Sequence, residues 1–269
     1  MIVLDNDSTP PMHLLGVGLI KISDLSAGGT TQILFQKGIG IQLIHTILKL
    51  NQNKILTKKQ GIAIDLISDY TVYMHYFNSN PSEIIVIIYL DSKDSILQFS
   101  SYYEVSKKFN EVIYSCEEMS AIQKICDYDF IIPQSDSLLA LFMISSAGHL
   151  FYSKVNDKKC RLGDFEVQIS GFISALLIFA KEIIGQGPGV ELKHINFGNQ
   201  QIYLIVKNDV ISAYLVEEER ISKLDRKYMQ IVSDEFLDMY KDHINPKTFS
   251  GDLSKYQGFG DVVDKYFVM

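Results

Sequence analysis

Disulfide chemistry is nearly absent from this sequence. It holds three cysteines, Cys116, Cys126 and Cys160, an odd number with no Cys-x-x-Cys pair. That argues against a secreted disulfide scaffold and fits a reducing compartment. Basic charge is also short: 25 Lys and Arg against 32 Asp and Glu leave a formal charge of -7. Broad contact with a phosphate backbone needs clustered cations, so nucleic acid is not expected as a partner. The one basic cluster, Lys54, Lys58 and Lys59, reads as a solvated loop. No apolar run reaches the roughly 18 residues of a membrane span. No charged-then-apolar leader opens the chain either, because Asp5, Asn6 and Asp7 intervene. The expectation is a cytoplasmic protein that meets a membrane only peripherally.

Catalytic fingerprints are missing too. Gly185-Gln186-Gly187-Pro188-Gly189 is glycine-rich, yet no Lys and no Ser or Thr follow it. A phosphate cradle needs that Lys and a helix start, whereas this loop ends a helix, so it reads as a helix cap and turn. Ser26 to Thr30 and Gly38-Ile39-Gly40 likewise lead into no P-loop Lys, so the chain is not expected to be a GTPase itself. Six histidines, His13, His45, His75, His149, His194 and His243, are scattered without an H-x-x-x-H pair. No G-x-S-x-G occurs. Neither an enzyme, a metal nor a cofactor is expected. Glu217-Glu218-Glu219 reads as a solvated charge run before a helix.

What is present is a long, apolar-rich chain. Its 269 residues exceed one usual domain, and 47% are hydrophobic, so two cores are the better expectation. Residues 1–11 form a leader, 12–126 a first domain, 127–137 a connector and 138–269 a second domain. In the first, Met12 to Ile22 and Thr30 to Gln36 suggest a hairpin, and Ile41 to Leu50 has helical spacing through Leu43, Ile44, Ile47 and Leu48. Three strands follow, Gly61–Ser68, Tyr70–Phe77 and Glu83–Leu90, then a helix over Ser95–Tyr114 that Asp94 can cap. A short helix over Glu117–Cys126 leads into a break at Asp127–Pro133. The second domain repeats this order at an offset of roughly 125 residues, too long for a solenoid unit. Its members are a hairpin at Leu138–Ser145 and His149–Lys154, a helix, strands at Val190–Phe197, Gln201–Val206 and Val210–Val216, and a helix over Ile221–Ile244. A last helical piece spans Asp261–Phe267. Both sheets should be antiparallel, because most strand connections are too short for crossovers.

The helix of the second half, Asp164 to Ile184, is the unusual element. Phe172 to Ala180 reads FISALLIFA, apolar on almost every side. A helix on one sheet needs a single apolar stripe, so this one should be covered twice, by its own sheet and by another domain or chain. Ser170-Gly171 reads as a small spot where a neighbouring backbone can approach.

The order hairpin, helix, three-strand meander, helix resembles the longin and roadblock group of profilin-like folds. The second half carries the resemblance best, from LALFMISSAGHLFYSK, with its Ser146-Ala147-Gly148 turn, through the apolar helix to VISAYLV. The first half matches in order, most strongly in YTVYMHYF and EIIVIIYLD. The resemblance implies an α+β chain of two longin-type domains, each a five-stranded antiparallel sheet flanked by helices. Domains of that group pair through the first helix and the sheet edge and bind small Ras-like GTPases. Some act as exchange factors or in vesicle trafficking, although no exchange-factor signature occurs here. The implied function is a non-enzymatic regulatory or scaffolding platform for a Ras-like GTPase or a partner longin or roadblock subunit. Homo- or hetero-dimerisation would run through the first helices. Gln42, His45 and Lys49 on one first helix, and Gln168, Phe172, Ser174 and Leu176 on the other, are the candidate partner contacts. The alternative is a GAF- or PAS-like sensor holding a small molecule, which needs a roomy, partly polar cavity.

Overall fold

A computed structural model describes residues 11–23, 29–94, 99–114, 119–160, 162, 165–180, 182, 192–217, 221–244 and 251–269. The chain divides into two compact units, Met1–Pro133 and Gln134–Met269.

The first unit contains β1 (Met12–His13), β2 (Gly16–Ser23), β3 (Thr30–Lys37), α1 (Ile41–Lys58), β4 (Gly61–Ile67), β5 (Tyr70–Asn80), β6 (Glu83–Ser92), α2 (Phe99–Tyr114), α3 (Met119–Asp129) and β7 (Phe130–Ile131). The second contains β8 (Leu138–Ser145), β9 (Leu150–Val155), α4 (Glu166–Phe179), β10 (His194–Phe197), β11 (Gln200–Lys207), β12 (Val210–Glu217), α5 (Lys223–Met239), a 3-10 segment at Leu253–Phe259 and α6 (Gly260–Tyr266). The fold is α+β, with two five-stranded antiparallel sheets flanked by helices, as the longin resemblance implied.

One sheet runs β3-β2-β6-β5-β4 and the other β9-β8-β12-β11-β10. Counted within each unit, both orders read 2-1-5-4-3, so the duplication seen in element order is a duplication of topology. In the first unit α1 covers one face of the sheet, above Ile20, Val72, Met74, Val86 and Ile88. α2 and α3 cover the other, above Val17, Leu19, Tyr73, Ile87 and Tyr89. A strand covered on both faces has no polar side to show, and this is why EIIVIIYL in β6 is apolar without alternation. β8 and β12 of the second unit are buried for the same reason.

A side-chain pair recurs across the duplication where residue identity does not. Tyr89 on β6 shares a 2.9 Å hydrogen bond with Ser106 on α2. Tyr214 on β12 shares one of the same length with Ser233 on α5, and its hydroxyl also donates to the Met229 carbonyl. All four residues are buried. A buried tyrosine needs such a partner for its hydroxyl.

Several expectations are corrected. α1 does not stop at Leu50 but runs two further turns to Lys58, because Asn51 and Ile55 continue its buried stripe. The Asn51 amide donates to the Ile47 carbonyl and to Asp65, so a polar side chain sits satisfied in that stripe. Lys54 and Lys58 are therefore helical, not loop residues, and only Lys59 lies beyond, in a left-handed C-cap. Residues 127–131 are not a break: α3 runs to Asp129, and β7 pairs in parallel with β1. Met12–Ile22 is two strands, β1 and β2; the third strand of the second unit begins at His194, with Leu192 and Lys193 outside it, and the expected start at Val190 lies outside the described residues. α5 starts at Lys223 behind Ser222, which accepts from the Asp225 amide while Asp225 accepts from the Ser222 amide. That capping box satisfies two otherwise orphaned backbone donors. Residues 1–10 of the leader, the Ser95 start of the first-unit helix, Asp164, Lys181, the loop 185–189, Glu218, Glu219 and Cys116 lie outside the described residues; Asp94 itself is an exposed turn residue. Cys126 and Cys160 are buried.

Candidate functional site

The two first helices occupy equivalent places and treat their sheets differently. α1 is amphipathic. Ile44, Ile47, Leu48, Asn51 and Ile55 face the sheet, and Gln42, His45 and Lys49 share the exposed side. His45 and Lys49 also line a groove of about 190 Å3 between α1 and the ends of β2 and β3.

α4 turns small residues inward and large ones outward. Its buried residues are Ser170, Ile173 and Ser174. The turn between β8 and β9 sets this up. Ser170 Oγ donates to the Gly148 carbonyl at 3.3 Å, and Ser174 Oγ donates to the Ser146 carbonyl at 2.9 Å. Gly148 has φ +88°, and a Cβ added there would lie 3.4 Å from the Ser174 Cβ and 3.8 Å from the Gly171 Cα. The helix thus lies close on the turn, and serines rather than bulky residues are what fit beneath it. The contact is made by Ser170 and Ser174, whereas Gly171 is exposed and a Cβ added there would meet nothing within 4 Å.

On its other side α4 exposes Phe165, Val167, Phe172, Ile178 and Phe179. Phe172 keeps 48% and Phe179 54% of its surface accessible. Among the described residues nothing supplies the expected second cover for this side. Half-exposed phenylalanines each present on the order of 100 Å2. The five residues together present on the order of 500 Å2, within the roughly 300–600 Å2 of the largest patch on a soluble monomer, a size that is often functional.

Of the candidate contacts on α4, Gln168 and Phe172 are exposed one turn apart, and Leu176 is half-buried. Ser174 is corrected: at 4% exposure it faces the sheet and cannot meet a partner. Its small size and the Ser146 carbonyl draw its hydroxyl inward. Phe165, Val167, Ile178 and Phe179 were not singled out, although the lack of any polar side on this helix was the signal that could have found them.

Beside the C-terminal half of α4 runs an open groove of about 400 Å3. Leu177, Ile178, Leu204, Val206 and Ile211 line it, with Ser174, Lys193 and Asp209 as its polar members. Among the described residues no group of three His, Cys, Asp or Glu side chains could hold a metal. No described helix is long and apolar enough to cross a membrane.

No family model matches the sequence. No curated protein matches it either. Among solved structures the chain is similar to Myxococcus xanthus MglB, at 19% identity and a TM-score of 0.31, over 41% of this chain and 82% of that one. At that score the likeness carries no weight for function.

Proposed function

We propose that this protein is a non-enzymatic docking platform whose α4 face receives a partner chain, either a small Ras-like GTPase or another longin- or roadblock-type subunit. The observation that carries the reading is the outward apolar face of α4. An exposed patch of that size on a helix whose serines hydrogen-bond the β8–β9 turn is an interaction surface by physical expectation. That the partner is a GTPase rests on the longin resemblance of the sequence. A cytoplasmic location and a part in vesicle trafficking or nucleotide exchange belong to the same proposal. The test is binding of the purified chain to a panel of small GTPases, each loaded with GDP, loaded with a GTP analogue, or nucleotide-free. At least one should bind with a preference for one state, and Phe172→Glu combined with Phe179→Glu should weaken it tenfold or more. Binding without preference for any state counts against the GTPase. Binding that the double variant leaves intact counts against α4.

The groove beside α4 favours a second reading, a small apolar ligand held between helix and sheet, since its volume lies within the range of ligand pockets. Native mass spectrometry showing a co-purified small molecule would select it over the platform.

A further inference from the structure

The first unit carries a different exposed surface, away from its first helix. β4 ends its sheet, with β5 as its single strand partner among the described residues. Ala63 on β4 points to the α1 core. Ile62, Ile64 and Leu66 therefore point to the opposite face, and all three are exposed. Ile62 stands opposite His75 and Ile64 opposite Tyr73 on β5, which places each pair on one face. The His75 ring lies 6.2 Å from Tyr103 of α2, and the Tyr73 ring 6.0 Å from Phe99. Phe99 and Tyr103 are themselves exposed. The result is a trough with β4 as its floor and outer rim and α2 as its inner wall, presenting on the order of 400 Å2 of apolar surface.

The duplication supplies an internal control. The equivalent edge strand of the second unit is β10, whose Ile195 joins the α4 core. Its opposite face carries His194, against Tyr203, and Asn196, which accepts from Gln201. Arg226 of α5 stands over the Tyr203 ring as the wall. The same place in the same topology is polar there, so the fold does not require an apolar trough at β4.

Soluble proteins guard free sheet edges with Lys, Pro, a bulge or a very short strand. β4 reads GIAIDLI over seven residues, with neither Lys nor Pro, and keeps an unbroken register with β5. Its one charge, Asp65, is turned to α1, where it accepts from Asn51. Cations stand instead at one end. Lys58 and Lys59, exposed and without an ion-pair partner among the described residues, immediately precede the strand. The far end is acidic, with Asp69 in the β4–β5 turn.

We propose that β4 is a strand-addition site for an extended apolar peptide of a partner protein, one end of which is acidic and lies against Lys58 and Lys59. Backbone hydrogen bonds to the free edge supply affinity, and alternate side chains of the peptide seat on Ile62, Ile64 and Leu66. An antiparallel addition, like every other pairing in the sheet, puts the acidic residues at the C-terminal end of the peptide. The site stands on the first unit and does not depend on α4.

A labelled probe peptide of alternating valine and threonine, ending in a pair of glutamates, tests this against the full chain by fluorescence anisotropy. Saturable binding is expected, at least tenfold weaker for Ile64→Lys and only slightly weaker for Ile64→Thr, with Tm unchanged in both. A probe ending in lysines should bind more weakly, and Lys58→Glu with Lys59→Glu should reverse that order. Hydrogen exchange should slow at residues 61–67 when the probe is bound, which a helix lying in the trough would not cause. The proposal is overturned by the absence of saturable binding, or by equal affinity for the two probes. It is also overturned if β4 amides stay unprotected, or if Leu66→Lys abolishes self-association of a chain that binds no probe.

Discussion

The two first helices show how one topological position can be filled in opposite ways. α1 buries isoleucines and leucine and exposes Gln42, His45 and Lys49. α4 buries two serines beside Ile173 and exposes three phenylalanines. α1 has the pattern of a surface helix, with its stability drawn from the stripe against the sheet. α4 meets its sheet through Ile169, Ile173 and Leu177 and leaves Phe172, Ile178 and Phe179 exposed. The difference teaches that apolar content alone does not locate a core, because on α4 most of it points away from one.

The largest expected effect sharpens that contrast. Ile47→Ala on α1 and Ile173→Ala on α4 each remove a fully buried side chain, and each should cost about 2–5 kcal/mol by thermal or chemical unfolding. Phe172→Ala, one position from Ile173, should stay within about 0.5 kcal/mol. Equal losses at 172 and 173 would break the inside-out assignment.

A smaller effect separates two glycines, one in the β8–β9 turn and one on α4. Gly148→Ala forces a side chain onto φ +88°, at about 1–2 kcal/mol, with the Ser174 Cβ close by. Gly171→Ala meets nothing within 4 Å and removes a glycine from a helix interior, so it should stabilise by up to about 1 kcal/mol. Both are read from denaturation midpoints, and opposite signs are the expected outcome.

Much of this was legible from residue pattern. The central strands β6, β8 and β12 announce themselves as unbroken apolar runs between turns, since burial on both faces leaves no polar position. The length of α1 was not legible. Asn51 looks like an end to the apolar stripe, and only Asp65, fourteen positions later in the sheet, makes it a buried member. β7 could not be read locally, because two residues owe their strand to pairing with β1, far back in the chain. On α4 the near-uniform hydrophobicity gave no facing. Whether Ser174 or Phe172 meets the sheet was decided by the carbonyls of a tight turn rather than by polarity. The β4 trough was invisible for a related reason: alternation is absent from GIAIDLI, and only the uncovered side of the sheet reveals what its isoleucines face.

The smallest expected effect concerns His75, at the margin of that trough. Burial holds its pKa below the usual 6.5, so the folded chain favours neutral imidazole. Its contribution to stability is complete above about pH 6.5 and declines as pH falls from there through the depressed value. The midpoint of thermal unfolding should drop slightly between pH 7 and 5, and His75→Phe should flatten that dependence.

The account depends most on the outer face of α4 being open in the free chain and closed by a partner. Phe172→Cys and Ile173→Cys, each in a Cys116→Ser background, report this through the rate of thiol labelling. Phe172→Cys should react at nearly the rate of a free thiol, Ile173→Cys only on unfolding, and a bound partner should slow the first alone. Slow labelling of Phe172→Cys in the free, monomeric chain would contradict the account, since the chain would then be covering that face by itself.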